Sequence, residues 1–292
     1  GYKGAPKFPI FNIYDTLLYF FTKTKNPIYL EPVELILKQL CSQGIYDHVE
    51  GGLSRYTIDE NWLIPHFEKM LYDNAQFILL LSKFLKINKN QYFEKKIIQT
   101  INFINKNFLN PEYNLLGTAY DADSDGEEGK YYVFNYSELK NIKDVEKYFD
   151  VKPEGNWENK IILKEIKTPP ESIIVELKEL RKKKNKPFFD SKVQLDLNCI
   201  WVSALIAAEK ILPNNNYQKL AETYYDNLEK LFFKGDKLFH SSSKTSVYLE
   251  DYAYAIAMLI DLSDQTLKPN YLFKAKELCK NTIKLFYVEE KS

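Results

Sequence analysis

Two polar segments of the chain contain the residue types that acid/base chemistry requires. The first runs from Gly51 to Asn74 and brings together an arginine, a histidine and several carboxylates, and the second, 121–129, holds three aspartates and two glutamates. Clustered carboxylates allow an enzyme to keep one acid protonated beside another that is ionised, as reactions on sugars require. These segments predict an acid/base site whose catalytic candidates are His66, Asp73, Asp121 and Asp123.

Side chains near these candidates are suited to holding a sugar. Arg55 follows a pair of glycines and can clamp an anion or a sugar hydroxyl, and the ring of Trp62 can act as a stacking surface. Asp251 lies at the start of a later helix, where an acid more often only complements the helix dipole. The predicted substrate-binding residues are Arg55, Tyr56, Trp62, Glu68, Tyr72, Glu127 and Asp251.

Each of these motifs also has a structural interpretation. On sequence alone, a histidine such as His66 is more often bonded to a neighbouring carboxylate than catalytic. The acidic segment begins like an EF-hand calcium loop, but Tyr132 stands where that loop needs a bidentate glutamate. The histidines are far apart and form no HExxH motif, so no metal site is predicted, and His240 is interpreted as a loop residue. No cofactor is predicted.

Hydrophobic periodicity predicts that helices position these residues. The predicted helices, about nine of roughly 12 to 22 residues, are 12–21, 32–44, one opening at residue 65, 90–108, 170–185, 193–212, 215–233, 247–264 and 270–287. Residues 130–134 and 157–163 read as two short paired strands, and Gly235-Asp236 reads as a tight turn. The predicted fold class is all-α, with a small β excursion near residues 130–163.

The helix predicted to open at Pro65 determines how the first segment presents its side chains. At about 100° per residue, His66 and Asp73 fall together on one flank of its buried stripe. Glu68 and Tyr72 fall on the other flank. Polar groups beside a buried stripe, at the mouth of a glycine loop, are expected to line a pocket.

Composition restricts the classes of partner. The 40 basic and 40 acidic residues balance, which predicts neither a nucleic-acid partner nor an anionic membrane surface. No apolar run approaches the roughly 20 residues of a membrane span, and no signal peptide is visible, so a cytoplasmic location is expected. Cys41, Cys199 and Cys279 are predicted to be reduced core cysteines, and the basic run 181–184 is predicted to be a solvated helix end.

Motifs along nearly the whole chain resemble those of thioredoxin-domain proteins related to spermatogenesis-associated protein 20. The segments that carry the resemblance are 4–9 (GAPKFP), 44–48 (GIYDH), 52–56, 62–74, 121–132 and 248–254. The resemblance implies an (α/α) toroid of the six-hairpin glycosidase type, similar to sugar epimerases of the N-acylglucosamine 2-epimerase group, with a sugar site built by loops at one end. Because those loops gather at one end, the two polar segments are expected to face the same cavity. The resemblance also implies that full-length relatives carry a thioredoxin-like domain ahead of this region.

The chain departs from the family pattern in ways that affect these expectations. Ser54 stands where the family usually has a histidine, and Asp190-Ser191-Lys192 and Leu197-Asn198-Cys199 replace the usual Asp-Asp-Lys and Trp-Asn-Gly. Residues 1–292 are predicted to form a single toroid domain without the family's last helices. Such a toroid should expose apolar faces on residues 12–22 or 270–287.

Two functions follow from these features. The first is a sugar-active enzyme, an epimerase, isomerase or glycosidase-like hydrolase with a small sugar ligand. The second is a non-catalytic helical module that docks or serves a thioredoxin-like domain. Retention of the acidic segment and of His66–Asn74 favours the first, and Ser54 in place of the histidine favours the second.

Overall fold

The computed structural model describes residues 4–235 and 237–287, which divide into two compact units. Unit 1 comprises residues 1–104 and 119–190, and unit 2 comprises residues 105–118 and 191–292. The chain passes between the units more than once, so neither unit is a continuous segment.

Unit 1 is built mainly from helices. They are α1 Phe11–Thr24, α2 Glu31–Ser42, α3 Leu71–Leu85, α4 Gln91–Asn107 (up to residue 104), α5 Tyr136–Leu139 and α6 Glu171–Arg181. Three strands are short, namely β1 Lys69–Met70, β4 Asp123–Ser124 and β5 Glu127–Glu128. One core cluster packs Ile173 and Leu177 of α6 against Phe134, Phe149 and Ile161.

Unit 2 is organised around a buried helix. Its helices are α7 Leu195–Glu209, α8 Tyr217–Phe232, α9 Leu249–Thr266 and α10 Pro269–Phe286, and its strands are β2 Leu109–Asn110, β7 Phe233–Lys234 and β8 Lys237–Leu238. Strand β3, Leu115–Tyr120, begins in unit 2, and β6, Phe189–Val193, ends there. α7 is apolar on nearly all sides and is buried accordingly, packing against both α8 and α9.

Antiparallel pairing sets the register of the short strands. In unit 1, β1 pairs with the end of β3, with Lys69 opposite Tyr120. In unit 2, β2 pairs with the start of β3, with Leu109 opposite Leu116. β6 also pairs with β3, and β4–β5 and β7–β8 form two tight antiparallel hairpins. The predicted turn at Gly235-Asp236 lies in the second hairpin, but Asp236 is outside the described residues.

The helical prediction is confirmed, whereas the predicted strand at residues 130–134 is wrong. The described residues contain nine helices of 11 to 18 residues and the four-residue α5. After Gly129, whose φ is +71°, the chain curls into turns, with the N–H groups of Tyr132 and Val133 both donating to the Gly129 carbonyl. A single bridge between Phe134 and Ile161 is what remains of the predicted pairing.

The long helix does not begin at Pro65, and the predicted helical flanks are therefore wrong. α3 starts at Leu71, after Met70 in an extended conformation. Pro65 forms a bridge with Thr57, and Phe67 has a positive φ of 57°. His66 and Glu68 thus lie on irregular chain outside the helix. Pairing with distant segments outweighs the local helical signal here.

The basic run at residues 181–184 is also corrected, because Arg181 is buried. Its Nη1 lies 2.6 and 2.7 Å from the two carboxylate oxygens of Asp47, and Lys69 Nζ lies 2.7 Å from Asp47 Oδ2. Burial opposes ionisation of Asp47, but the charges of Arg181 and Lys69 outweigh it and hold its pKa below the usual range. This buried ion cluster joins α6 to the loop that precedes β1.

The cysteines and the apolar side chains of α1 and α10 differ in their exposure to solvent. Cys41 and Cys199 are buried, but Cys279 is exposed and is not a core residue. Large apolar side chains are exposed on α1, at Tyr19, and on α10, at Phe273. No helix in the described part of the chain combines the length and apolarity that crossing a membrane requires.

Candidate functional site

The start of α3 holds a buried carboxyl group with an altered pKa. Asp73 lies in the first turn of α3 and is only 5% exposed. Its Oδ2 atom has no hydrogen-bond partner among the described residues. Burial raises the pKa of Asp73 to about 8, although the positive charge of Arg55 opposes this. The group is therefore mostly protonated at neutral pH, as a general acid must be.

A half-exposed ion pair lies beside this acid. Arg55 Nη1 donates to Glu68 Oε2 at 3.0 Å, and Arg55 Nε donates to the Tyr72 hydroxyl at 3.1 Å. The side chains of Arg55 and Glu68 keep 40% and 25% of their surface exposed. Tyr72 is partly buried, which raises its pKa. The protonated Asp73 and its charged neighbours thus place an acid close to a carboxylate and two hydrogen-bonding groups.

The buried amide of Asn74 holds the preceding loop against α3. Its Oδ1 accepts the Leu53 N–H at 2.7 Å, and its Nδ2 donates to the Leu53 and Met70 carbonyls at 3.1 and 2.8 Å. At Gly52, φ is +87° and a Cβ would lie 2.7 Å from the ring of Phe103. Glycine is therefore required for this close approach.

His66 is paired with a carboxylate that the sequence analysis does not name. His66 Nδ1 lies 2.8 Å from Glu128 Oε1. The Tyr56 ring stacks on the imidazole, with centroids 4.9 Å apart, and Phe8 stacks on Tyr56. The pair is half-exposed, so it is open to solvent. Glu128 lies in β5, 62 residues after His66, so sequence spacing could not predict that the two side chains are partners.

The acidic segment forms an exposed hairpin. Asp121 and Asp123 are exposed, and the Asp121 carboxylate accepts the Ala122 N–H at 2.7 Å, which is an acidic-turn contact. Glu127 is exposed and paired with Lys160, whose hydrogen bond and charge lower the pKa of Glu127. The hairpin offers carboxylates to solvent rather than a buried carboxylate pair.

The predicted common cavity is not the cavity seen in unit 1. That cavity has a volume of about 20 Å³, room for about one water molecule, and its lining includes Asp47, Arg181 and Ser54. None of the four catalytic candidates lines it. Trp62 is 8% exposed, so its ring is not an open stacking surface, and Lys7 Nζ lies 5.7 Å from it. Burial of this ring follows from its packing in the loop.

Unit 2 repeats the arrangement at the start of α3. Asn198 Oδ1 accepts the Leu116 N–H at 2.9 Å, and its Nδ2 donates to the Leu116 and Gln194 carbonyls, both at 2.9 Å. Asn198 follows the residue before α7 by four positions, as Asn74 follows Met70. The same local architecture therefore opens a buried helix in each unit.

Asp251 lies in unit 2, apart from the other predicted site residues, which all belong to unit 1. It is fully buried at the start of α9, where its Oδ2 accepts the Tyr248 N–H at 2.8 Å. His240 Nδ1 lies 2.9 Å from Asp251 Oδ1. Asp251 therefore bonds both the start of α9 and His240, which lies in a loop as predicted, and the substrate-binding role of Asp251 stays a prediction.

Comparison with known proteins supports the resemblance read from the motifs. No family model matches the chain. An uncharacterized protein from Caenorhabditis elegans is 27% identical, over 96% of this chain and 47% of its own length. Human spermatogenesis-associated protein 20 is 24% identical, over 98% of this chain and 45% of its own length, and the mouse protein of that name is 32% identical over 49% of this chain and 19% of its own length. The chain spans about half the length of the first two.

Solved structures with a similar fold include glycoside hydrolases. The α-mannanase BT2949 of family 76, from Bacteroides thetaiotaomicron, has a TM-score of 0.59 and 13% identity, over 95% of this chain and 58% of that one. A family 105 hydrolase from C. acetobutylicum has a TM-score of 0.57 and 14% identity, over 95% of this chain and 63% of that one. The fold class is therefore all-α, of the (α/α) toroid kind found in six-hairpin glycosidases.

Proposed function

We propose that this homologue of spermatogenesis-associated protein 20 binds a carbohydrate at the start of α3 and hydrolyses a glycosidic bond by acid/base chemistry. The observation that carries the proposal is the protonated, buried Asp73 beside the ion pair of Arg55 and Glu68. The fold supports it by analogy, because the similar structures with TM-scores above 0.5 include glycoside hydrolases.

The side chains divide the reaction between them. Asp73 donates its proton to the leaving glycosidic oxygen as the bond to the sugar carbon breaks. Glu68 accepts a proton from the water molecule whose oxygen forms the new bond to that carbon. Arg55 and Tyr72, which already donate and accept hydrogen bonds here, bind sugar hydroxyl groups. His66, Asp121 and Asp123 remain candidate acid/base groups, and Tyr56 and Glu127 remain candidate substrate contacts.

The test is turnover of a panel of oligosaccharides, followed by NMR signals of the released reducing ends. Asp73→Asn and Glu68→Gln should each lower turnover by about 10²–10⁴-fold. Asp264→Asn, which removes an exposed aspartate of α9, is the control and should leave turnover unchanged. Wild-type inactivity across the panel, or full activity of Asp73→Asn, would contradict the proposal.

The replacement of the family histidine by Ser54 favours a second candidate, a non-catalytic module that serves a thioredoxin-like domain. Ser54 is 4% exposed and lines the small cavity instead of offering a ring nitrogen to a substrate. Its test is binding of the thioredoxin-like domain of a full-length relative, measured by calorimetry. Binding together with inactivity on every sugar would favour the module, whereas activity without binding would favour the enzyme.

A further inference from the structure

Three side chains of types that can bind a metal ion meet in unit 2, although the sequence predicts no metal site there. Asp196, His240 and Asp251 each offer one ligand atom, and these atoms all lie within 4.8 Å of one another. The chain brings them together because the Leu195 N–H donates to the His240 carbonyl at 2.9 Å and Gln194 forms a bridge with Ser241. The loop that carries His240 is thus attached to the start of α7.

One carboxylate in this cluster has an unmet hydrogen-bonding requirement. Asp196 is 8% exposed, and its Oδ1 is buried without a hydrogen-bond partner among the described residues. An unsatisfied buried acceptor is costly. A cation in the cluster would satisfy it and neutralise the repulsion between the two aspartates.

Gln194 is placed to orient the imidazole of His240. A side-chain amide nitrogen of Gln194 lies 2.8 Å from His240 Nε2, while His240 Nδ1 faces both oxygens of Asp251 at 2.9 and 3.1 Å. Rotating the Gln194 amide by 180° would present its oxygen to Nε2–H and leave the Nδ1 lone pair facing the two carboxylates. Histidines that bind metals usually donate their other ring N–H to such an oxygen.

The charges around this cluster also favour the binding of a cation. The N-termini of α7 and α9 each contribute a partial charge of about +0.5, which opposes a cation. Asp196 and Asp251, when both are ionised, contribute two full negative charges to the same place. Glu250, exposed at the start of α9, adds a third negative charge nearby. The negative charge therefore exceeds the opposing helix dipoles.

We propose that Asp196, His240 and Asp251 bind a divalent transition-metal ion of the Zn²⁺ class, with Gln194 as the residue that orients His240. One imidazole nitrogen and two carboxylate oxygens form a ligand set that suits Zn²⁺ and leaves a coordination position for water or substrate. The site lies in unit 2 and does not depend on the acid/base site proposed at α3.

The test is calorimetric titration of the metal-free chain, residues 1–292, with ZnCl₂. One ion should bind per chain, and Asp196→Asn and His240→Gln should each weaken binding by at least about 10–100-fold. Glu250→Gln removes a carboxylate at the start of the same helix outside the cluster and should change affinity much less. His66→Gln removes the histidine of a separate histidine–carboxylate pair, in unit 1, and should leave metal binding unchanged.

A second measurement on the wild-type chain covers the case in which a variant does not fold. In ¹⁵N-labelled protein, Zn²⁺ should shift the imidazole nitrogen resonances of His240 and leave those of His48 and His66 in place. Absence of stoichiometric binding would overturn the proposal. So would shifts at the other histidines alone, or unchanged affinity in folded Asp196→Asn and His240→Gln.

Discussion

Asp73→Asn should change how the stability of the protein depends on pH. The ordinary pKa of an aspartate is about 3.9, and burial raises the pKa of Asp73 in the folded chain to about 8. Between these values the folded state keeps a proton that the unfolded state releases. The stabilising effect of protonation is therefore fully present below about pH 4 and is lost as the pH rises to about 8.

The size of the effect follows from that difference. Each pH unit inside the window costs about 1.4 kcal/mol, so the wild-type free energy of unfolding should fall by roughly 4 kcal/mol from pH 5 to pH 8 through this one group. Solvent screens the charge of Asp73 only weakly, because the residue is 5% exposed. The asparagine variant has no proton to lose and should lack this component.

Urea unfolding of the wild type and of Asp73→Asn, each at pH 5 and pH 8, gives the change in free energy of unfolding between the two pH values for each protein. The variant should gain about 4 kcal/mol relative to the wild type between the two pH values. Asp264→Asn controls for the loss of one exposed aspartate. Parallel pH dependences of wild type and Asp73→Asn would refute the reasoning, as would a carboxyl NMR resonance of Asp73 that titrates near pH 4.

Two further substitutions test the contacts inside each unit. Arg181→Met should lower the free energy of unfolding by about 3–5 kcal/mol, because it leaves Asp47 buried beside fewer positive charges. Lys182→Met, at the exposed neighbouring residue, should change this free energy little. Equal melting temperatures for the two variants would show that the buried ion cluster does not stabilise the fold. Asn198→Ala should cost about 1–3 kcal/mol or more, because a buried backbone N–H and two carbonyls lose their partner, and hydrogen exchange at Leu116 should accelerate; unchanged protection there would contradict this role.

The amino-acid sequence by itself determined most of the helices. Apolar residues recur at helical spacing within α4 and α9, and such a pattern depends on local geometry alone. The motifs shared with relatives of spermatogenesis-associated protein 20 likewise predict the fold class, which the similar solved structures confirm. Asp73 is identified by its place in the densest of these motifs.

Tertiary structure decided where α3 begins. The spacing of Phe67 and Leu71 and the presence of Pro65 favour a helix from residue 65. Residues 65–70 instead pair with Thr57 and β3 and place Lys69 against Asp47. A buried lysine must be paired with a negative charge, and that requirement arises from contacts distant in sequence, which local periodicity does not record.

Tertiary structure also decided which charged residues act together. Arg181 belongs by sequence to a basic run, yet burial against Asp47, 134 residues away, makes it part of the core. His240 reads as an isolated loop residue until the bridge between Gln194 and Ser241 brings it to Asp251. Sequence spacing predicts side-chain neighbours only within one helix or strand. Long-range pairing, burial and the pKa shifts they cause depend on how the elements pack.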